Sequence, residues 1–337
     1  MTGGAVPTSR WLGLDCAPGE TLFERVPVAE FADGSPVTIP VALIRGAKPG
    51  PSAYIQAAIH GDELTGTDAA WRLIASLKPA EMTGDVVVVP VANSPAFLTR
   101  SRGFMLEERI LQDGNRVFPG NPQGFLTERI VASLFHGFVM QADLTVDLHC
   151  ALAGSVIADF MHVGPRNDDD GHLELRERTC HAYGMPYHFY RKVGMKLGSS
   201  DMSRSISSQG AEAGKAVIMA EFGKSNGIDA ERAEYARGGL LRILRELGVW
   251  RGETPEATPY EPREFSNIHM VHSQRGGGLR PRVAIGDIVK VGDPLASVLD
   301  IFGREVEEVR ATEDGFVLRL MSLGSIASGA EVAWIGN

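Results

Sequence analysis

Cysteine is scarce in this 337-residue chain: Cys16, Cys150 and Cys180 are few, scattered and odd in number. That argues against a disulfide framework and fits a reducing compartment. No apolar run approaches membrane-spanning length, and no basic-then-apolar pattern marks the N-terminus. A cytoplasmic protein is the expectation. Basic charge is also short: 33 Lys and Arg stand against 42 Asp and Glu, a net charge of -9. Nucleic acid and anionic membranes both require a basic surface, so neither is an expected partner. The deficit does not bar a small anionic substrate, because a local Arg cluster can override the overall sign. What remains is ordinary for a soluble globular protein, with 44% hydrophobic residues and length enough for one large domain plus a small one.

Apolar runs punctuated by turns organise the chain. Glu24 to Phe31 and Pro36 to Ile44 read as strands joined at Asp33-Gly34, and a Gly/Pro cluster over 46–51 reads as a loop. Ala53 to Ile59 is a short buried strand, and Glu63 to Leu77 has helical spacing. Asp85 to Val91 is an interior strand buried on both faces. Residues 93–123 lack periodicity and are rich in Arg, Gly and Pro; a long irregular segment in a compact domain is more often functional than idle. Phe125 to Phe138 is helical again. Asp143 to His149 is a strand whose alternation puts Thr145, Asp147 and His149 on one face. Further strands run from Ser155 to Val163 and from Lys215 to Glu221, and a long helix capped by Asp229 ends at Gly248. Strands alternating with helices predict an α/β fold around a largely parallel sheet. A Pro- and Glu-rich linker over 252–262 separates a catalytic domain, residues 1–255, from a C-terminal all-β module, residues 256–337. That module repeats short β segments and looks like a small sandwich of the biotinyl-lipoyl type. Lys290 is not flanked by the Met residues of carrier domains, so the module reads as structural.

The chemistry concentrates where a strand turns into a helix, a usual ligand position in α/β sheets: Ile59-His60-Gly61-Asp62-Glu63. H-x-x-E alone is weak, since such pairs occur by chance. Asp147-Leu148-His149 ends a second apolar run and supplies a third ligand. His60, Glu63 and His149 then make the His₂Glu set of a catalytic zinc site, with a fourth position left for water. Such a site needs a base. Glu221, at the end of an apolar strand and beside Phe222-Gly223, is the candidate, because partial burial lifts a carboxyl pKa toward the working range. Asp147 shares a strand face with His149 and is either a carboxylate supporting the ligands or a buried capping group. His162, His172 and His181 read as structural or solvated.

Ile39-Pro40 with Arg45-Gly46, Ile59-His60-Gly61-Asp62-Glu63 with Gly66, Asn115-Arg116-Val117-Phe118-Pro119-Gly120, Asp147-Leu148-His149 and Glu221-Phe222-Gly223 occur in a familiar order. In this the chain resembles the succinylglutamate desuccinylase/aspartoacylase family of the zinc metallocarboxypeptidase superfamily. Gly276-Gly277-Gly278-Leu279 with Gly286-Asp287-Ile288-Val289 is similar to the extra β module of its bacterial members. The resemblance implies a carboxypeptidase-like mixed sheet flanked by helices and one zinc per chain on His60, Glu63 and His149. It makes Glu221 the general base and acid, and Asn115-Arg116 the pair that holds a substrate carboxylate, where a planar guanidinium suits bidentate binding. An upstream Arg is implied to stabilise the oxyanion. Here the spacing over Gly103 to Glu108 is unusual and Gly114 stands where the family usually has Leu; Arg109 and Arg102 both remain candidates for that role, with Arg109 slightly ahead. The implied reaction is hydrolysis of an amide in a small N-acylated, carboxylate-bearing molecule. An N-acetyl-diaminobutyrate-type deacetylase comes first. A metallocarboxypeptidase acting on small peptides is the alternative, and a non-catalytic ligand-binding protein of the same fold is the rival class. Homo-oligomerisation is left open.

Overall fold

The apolar runs become the interior of one mixed sheet. The computed structural model describes residues 10–107, 113–166, 171–191, 196–197, 200–257 and 261–337. The chain begins with β1 (Thr21–Glu30), β2 (Pro36–Arg45), β3 (Lys48–Ala57), α1 (Thr65–Ser76), β4 (Thr83–Val89), α2 (Ser94–Thr99) and α3 (Leu126–Gly137). It continues through β5 (Leu144–His149), β6 (Ser155–His162), α4 (Leu173–Tyr183), β7 (Tyr187–Phe189), the short strands β8 (Lys196–Leu197) and β9 (Ser200–Asp201), α5 (Ile206–Glu212), β10 (Val217–Lys224) and α6 (Ala230–Glu246). The C-terminal part is all strand: β11 (Arg263–Phe265), β12 (Ile268–His272), β13 (Gly277–Pro281), β14 (Ile288–Val289), β15 (Pro294–Leu299), β16 (Glu305–Arg310), β17 (Gly315–Met321), β18 (Ser325–Ile326) and β19 (Glu331–Gly336). No described helix is long and apolar enough to cross a membrane.

The main sheet runs β1-β2-β4-β3-β5-β10-β6-β17-β19-β12. Its centre, β4-β3-β5-β10, is parallel, whereas β1–β2, β2–β4 and β10–β6 are antiparallel. Alternation sorts the side chains between two covered faces. Ala53, Ile55, Val88, Val146 and Ile218 pack under α1 and α6, against Leu73, Leu240 and Leu244. Tyr54, Val87 and Val89 pack on the other face under α3, against Ile130, Leu134 and Phe138. Each fully buried Val or Leu of this kind contributes roughly 1.5–3 kcal/mol.

Some boundaries depart from the pattern in the sequence. The helix expected from Glu63 starts at Thr65, because His60 to Leu64 form a turn in which the Glu63 N–H donates to the His60 carbonyl at 3.3 Å. The loop expected over 46–51 is already strand from Lys48, with a register shift between Lys48 and Ser52 that accommodates Pro49 and Pro51. Residues 93–123, expected to be irregular, contain α2.

At the far edge, Arg319, Leu320 and Met321 of β17 pair antiparallel with Ile157, Val156 and Ser155 of β6. The main sheet therefore runs without a break into the C-terminal strands. A second sheet, β16-β15-β13-β18, covers them, and Leu295, Val298, Val317 and Ile335 fill the space between.

Candidate active site

Sheet order alone brings the candidate groups to one place. β3, β5 and β10 lie side by side and parallel, so their C-terminal ends share one rim. After β3 the backbone bends sharply: Ala58 takes φ 51°, a left-handed value that a side-chain-bearing residue rarely adopts. The turn then passes under α2, and only glycine fits at position 61, where a Cβ would lie 2.0 Å from the Ala96 carbonyl carbon. This delivers His60 and Glu63 to the rim. On β5, Asp147 and His149 point to the same side, and on β10 Glu221 is in register with His149.

His60, Glu63 and His149 are all buried, and one donor atom of each lies within 4.8 Å of the others. The His60 Nδ1 is 2.8 Å from Glu63 Oε1, and the His149 Nδ1 is 2.9 Å from Glu63 Oε2. Both outer nitrogens are held by carboxylates: His60 Nε2 by Asp113 at 2.9 Å and His149 Nε2 by Asp147 at 2.7 Å. Asp147 is itself fixed by Gln56 Nε2 at 2.8 Å, and Gln56 by the Tyr54 hydroxyl at 2.6 Å. Carboxylate-anchored imidazoles converging on a third donor are the usual support of a metal-binding histidine pair. The donor set fits zinc, for which His₂Glu with an open position is a catalytic arrangement.

Electrostatics bind the cluster together. Burial would raise Glu63, but His60 and His149 hold it well below the usual carboxylate range. Burial would lower both imidazoles. Asp147 and Glu63 outweigh it to carry His149 well above its ordinary value, and Glu63 and Asp113 likewise raise His60. Glu221 goes the other way: burial, helped by the Glu63 charge, pushes it up to about 8. It is the acid in this cluster suited to exchange a proton near neutrality.

Arg102 donates to Asp113 at 3.0 Å and to Glu63 at 3.3 Å. Arg109 lies outside the described residues. Asn115 is buried between elements: its Oδ1 accepts from the Ile206 N–H at 2.9 Å and its Nδ2 lies 3.4 Å from His149 Nε2. Arg116 donates to the Asn115 carbonyl at 2.8 Å, and burial lowers its pKa. Gly114 stands against Ile59, whose Cδ1 would be 2.9 Å from an added Cβ, so Ile59 occupies the room a larger residue would need.

His60, Glu63, Arg102, Asp113, Asn115, Arg116, His149 and Glu221 line one cavity of about 270 Å³, together with Arg191, His162, Met219 and, from the C-terminal strands, Ile268, Met270, Arg319, Glu331 and Trp334. Asp113, Arg191, His162 and Arg319 are not among the site residues that the sequence singles out, and His162 reads there as structural or solvated. Asp113 has one local signal, its place two residues before Asn115-Arg116. The others have none.

The family described as the succinylglutamate desuccinylase/aspartoacylase catalytic domain matches residues 49–247. Over 324 residues the chain is 28% identical to the N-alpha-acetyl-L-2,4-diaminobutyric acid deacetylase of Halomonas elongata, covering 94% of this chain and 90% of that protein. The product-bound structure of the ectoine utilization protein EutE (DoeB) from Ruegeria pomeroyi superposes with a TM-score of 0.82 at 26% identity, covering 96% of this chain and 97% of the other. A succinylglutamate desuccinylase from a Silicibacter species has a TM-score of 0.80 at 25% identity, with 94% of each chain covered.

Proposed function

Because the chain belongs to the succinylglutamate desuccinylase/aspartoacylase family, we propose that it is a zinc-dependent deacylase acting on a small N-acyl amino acid, with N-acetyl-diaminobutyrate the first substrate to test. The observation that carries this reading is the pairing of Glu221 with His149 on adjacent strands, which sets a base of raised pKa beside the His60–Glu63–His149 donor set. One zinc ion held by those residues would supply Lewis-acid activation of water and of the acyl carbonyl. Glu221 takes a proton from the attacking water and gives it to the amine nitrogen as the C–N bond breaks. Arg102, anchored on Asp113, brings positive charge toward the oxygen that becomes negative. Asn115 positions His149 and the start of α5, while Arg116 offers its guanidinium to a substrate carboxylate.

The cavity favours a small molecule over a peptide. Its volume is about 270 Å³, and Ile268, Met270 and Trp334 of the C-terminal strands wall it. We accordingly read residues 1–255 as the catalytic domain and residues 256–337 as a β sandwich of the biotinyl-lipoyl type that closes the site; the two facing sheets around Leu295, Val298 and Val317 support that division. A hydrolysis screen over N-acyl amino acids, read by released amine with zinc content measured in parallel, tests the function. Zinc near one per chain with amine release is the expected result. Zinc without hydrolysis of any N-acyl amino acid would overturn the deacylase reading and leave the peptidase and the binding protein.

A further inference from the structure

Guanidinium groups in the cavity differ in whether their charge is already answered. Arg102 is paired with Asp113 and Glu63, and Arg319 with Glu331 at 2.5 Å. Arg191 is 7% exposed, and among the described residues no carboxylate pairs with it. Among the described residues its Nε has no partner, and its Nη1 reaches the Met202 carbonyl and the Ser205 hydroxyl, each at 3.4 Å. A buried cation without a counter-charge is costly unless something else compensates it. Burial and the neighbouring Arg116 charge lower its pKa to about 10, so it keeps its proton at neutral pH.

His162 stands beside it in the same condition. It is 3% exposed, its Nε2 has no hydrogen-bond partner among the described residues, and its ring stacks on Phe189 at 5.2 Å. Phe189 of β7 is in register with His162, and Arg191 follows two residues later. Burial, together with Arg191 and Arg176, holds the imidazole well below its ordinary pKa, so the ring is neutral. A neutral ring can offer one N–H without adding a second unanswered charge.

Register sets His162 beside β10, close to the general base. On β10, Met219 pairs with His162 and Glu221 with Phe160. Met219 and Glu221 are two positions apart on one strand face, a separation of about 7 Å.

We infer that Arg191 and His162 form the end of the cavity that receives a carboxylate of the substrate, beside Arg116. The inference rests on the deacylase reading for its ligand class. It makes Arg191 the principal carboxylate-reading residue, whereas Asn115 is already committed to Ile206 and His149.

The test compares zinc-loaded wild type with Arg191→Gln and His162→Phe on N-acetyl-L-2,4-diaminobutyrate and its carboxamide. His162→Phe keeps the ring against Phe189 and removes only the nitrogens. Arg191→Gln should raise KM for the carboxylate roughly ten- to a hundredfold, the usual worth of a charge-assisted bond, with the change in KM rather than kcat. His162→Phe should raise it several-fold, and Arg191→Gln should lose most of the preference for carboxylate over carboxamide. The thermal midpoint of Arg191→Gln should stay level or rise, since an unanswered buried charge has been removed. An unchanged KM with unchanged preference would overturn the inference, as would a large drop in midpoint with kcat falling alone, the mark of a structural arginine. If wild type hydrolyses neither compound, the substrate reading has failed and succinate binding by calorimetry decides this one. A loss of about tenfold or more in Arg191→Gln supports the subsite, and affinities equal within about twofold overturn it.

Discussion

His149 and His162 are buried imidazoles in one cavity, on strands separated only by β10, and their surroundings act on them in opposite senses. His149 lies between Glu63 and Asp147, which carry its pKa well up; His162 faces cations and has a nitrogen with no partner, and its pKa falls well below the ordinary value. The arginines repeat the contrast: Arg102 is clamped by carboxylates, and Arg191 meets only weak oxygen contacts. The wall that carries His60, Glu63 and His149 is a polar network satisfied from within, able to hold its geometry before any substrate arrives. The part of the cavity at Arg191 and His162 keeps donors unsatisfied at a cost that a ligand can offset. One part is built for position and the other for recognition.

The largest expected effect comes from opening the satisfied wall. His149→Ala leaves His60 and Glu63 as ligands and uncouples Asp147, so zinc content should fall to near zero and turnover with it. Metal analysis of the purified variant checks this, and full zinc occupancy would remove His149 from the ligand set. Glu221→Gln is the next in size. It should keep zinc and fold while the rate falls on the order of 10²–10⁴, the usual contribution of acid–base catalysis. A loss under about tenfold would take Glu221 out of the mechanism.

Asp147→Asn sharpens the comparison by weakening the wall without breaking it. His149 would lose its carboxylate partner, and zinc affinity measured by chelator competition should drop about 10–100-fold. The smallest effect lies in the other part of the cavity and is a pH dependence. The folded-state pKa of His162 is depressed below the ordinary 6.5, so stability is full above that value. As pH falls below it, the unfolded chain takes up a proton that the folded one refuses, and stability declines by at most about 1.4 kcal/mol per pH unit. Thermal midpoints between about pH 6.5 and 5 should fall less in His162→Phe than in wild type. Parallel curves would mean that His162 is not the neutral ring described.

Much of the centre is legible in the sequence. The apolar runs Ala53 to Ile59, Asp85 to Val91, Asp143 to His149 and Lys215 to Glu221 contribute β3, β4, β5 and β10. The His60–Glu63 spacing marks a strand-to-helix turn, and alternation places Asp147 with His149. Asp113 escapes notice because it sits in an irregular stretch, where no period says which way a side chain points. Arg191 and His162 escape it for a different reason. Nothing within several residues of either one marks it, and what sets them apart is the lack of a partner.

Periodicity by itself determined the central strands, the longer helices and the neighbours that lie within about one turn or one pleat, because local backbone geometry repeats at that range. The tertiary structure decided the rest. It put β5 between β3 and β10, set Glu221 in register with His149, and ran β17 along β6 so that C-terminal residues reach the cavity. It also decided the charges: whether a histidine is raised or lowered, or an arginine answered, depends on atoms far away in the chain and on the water they exclude.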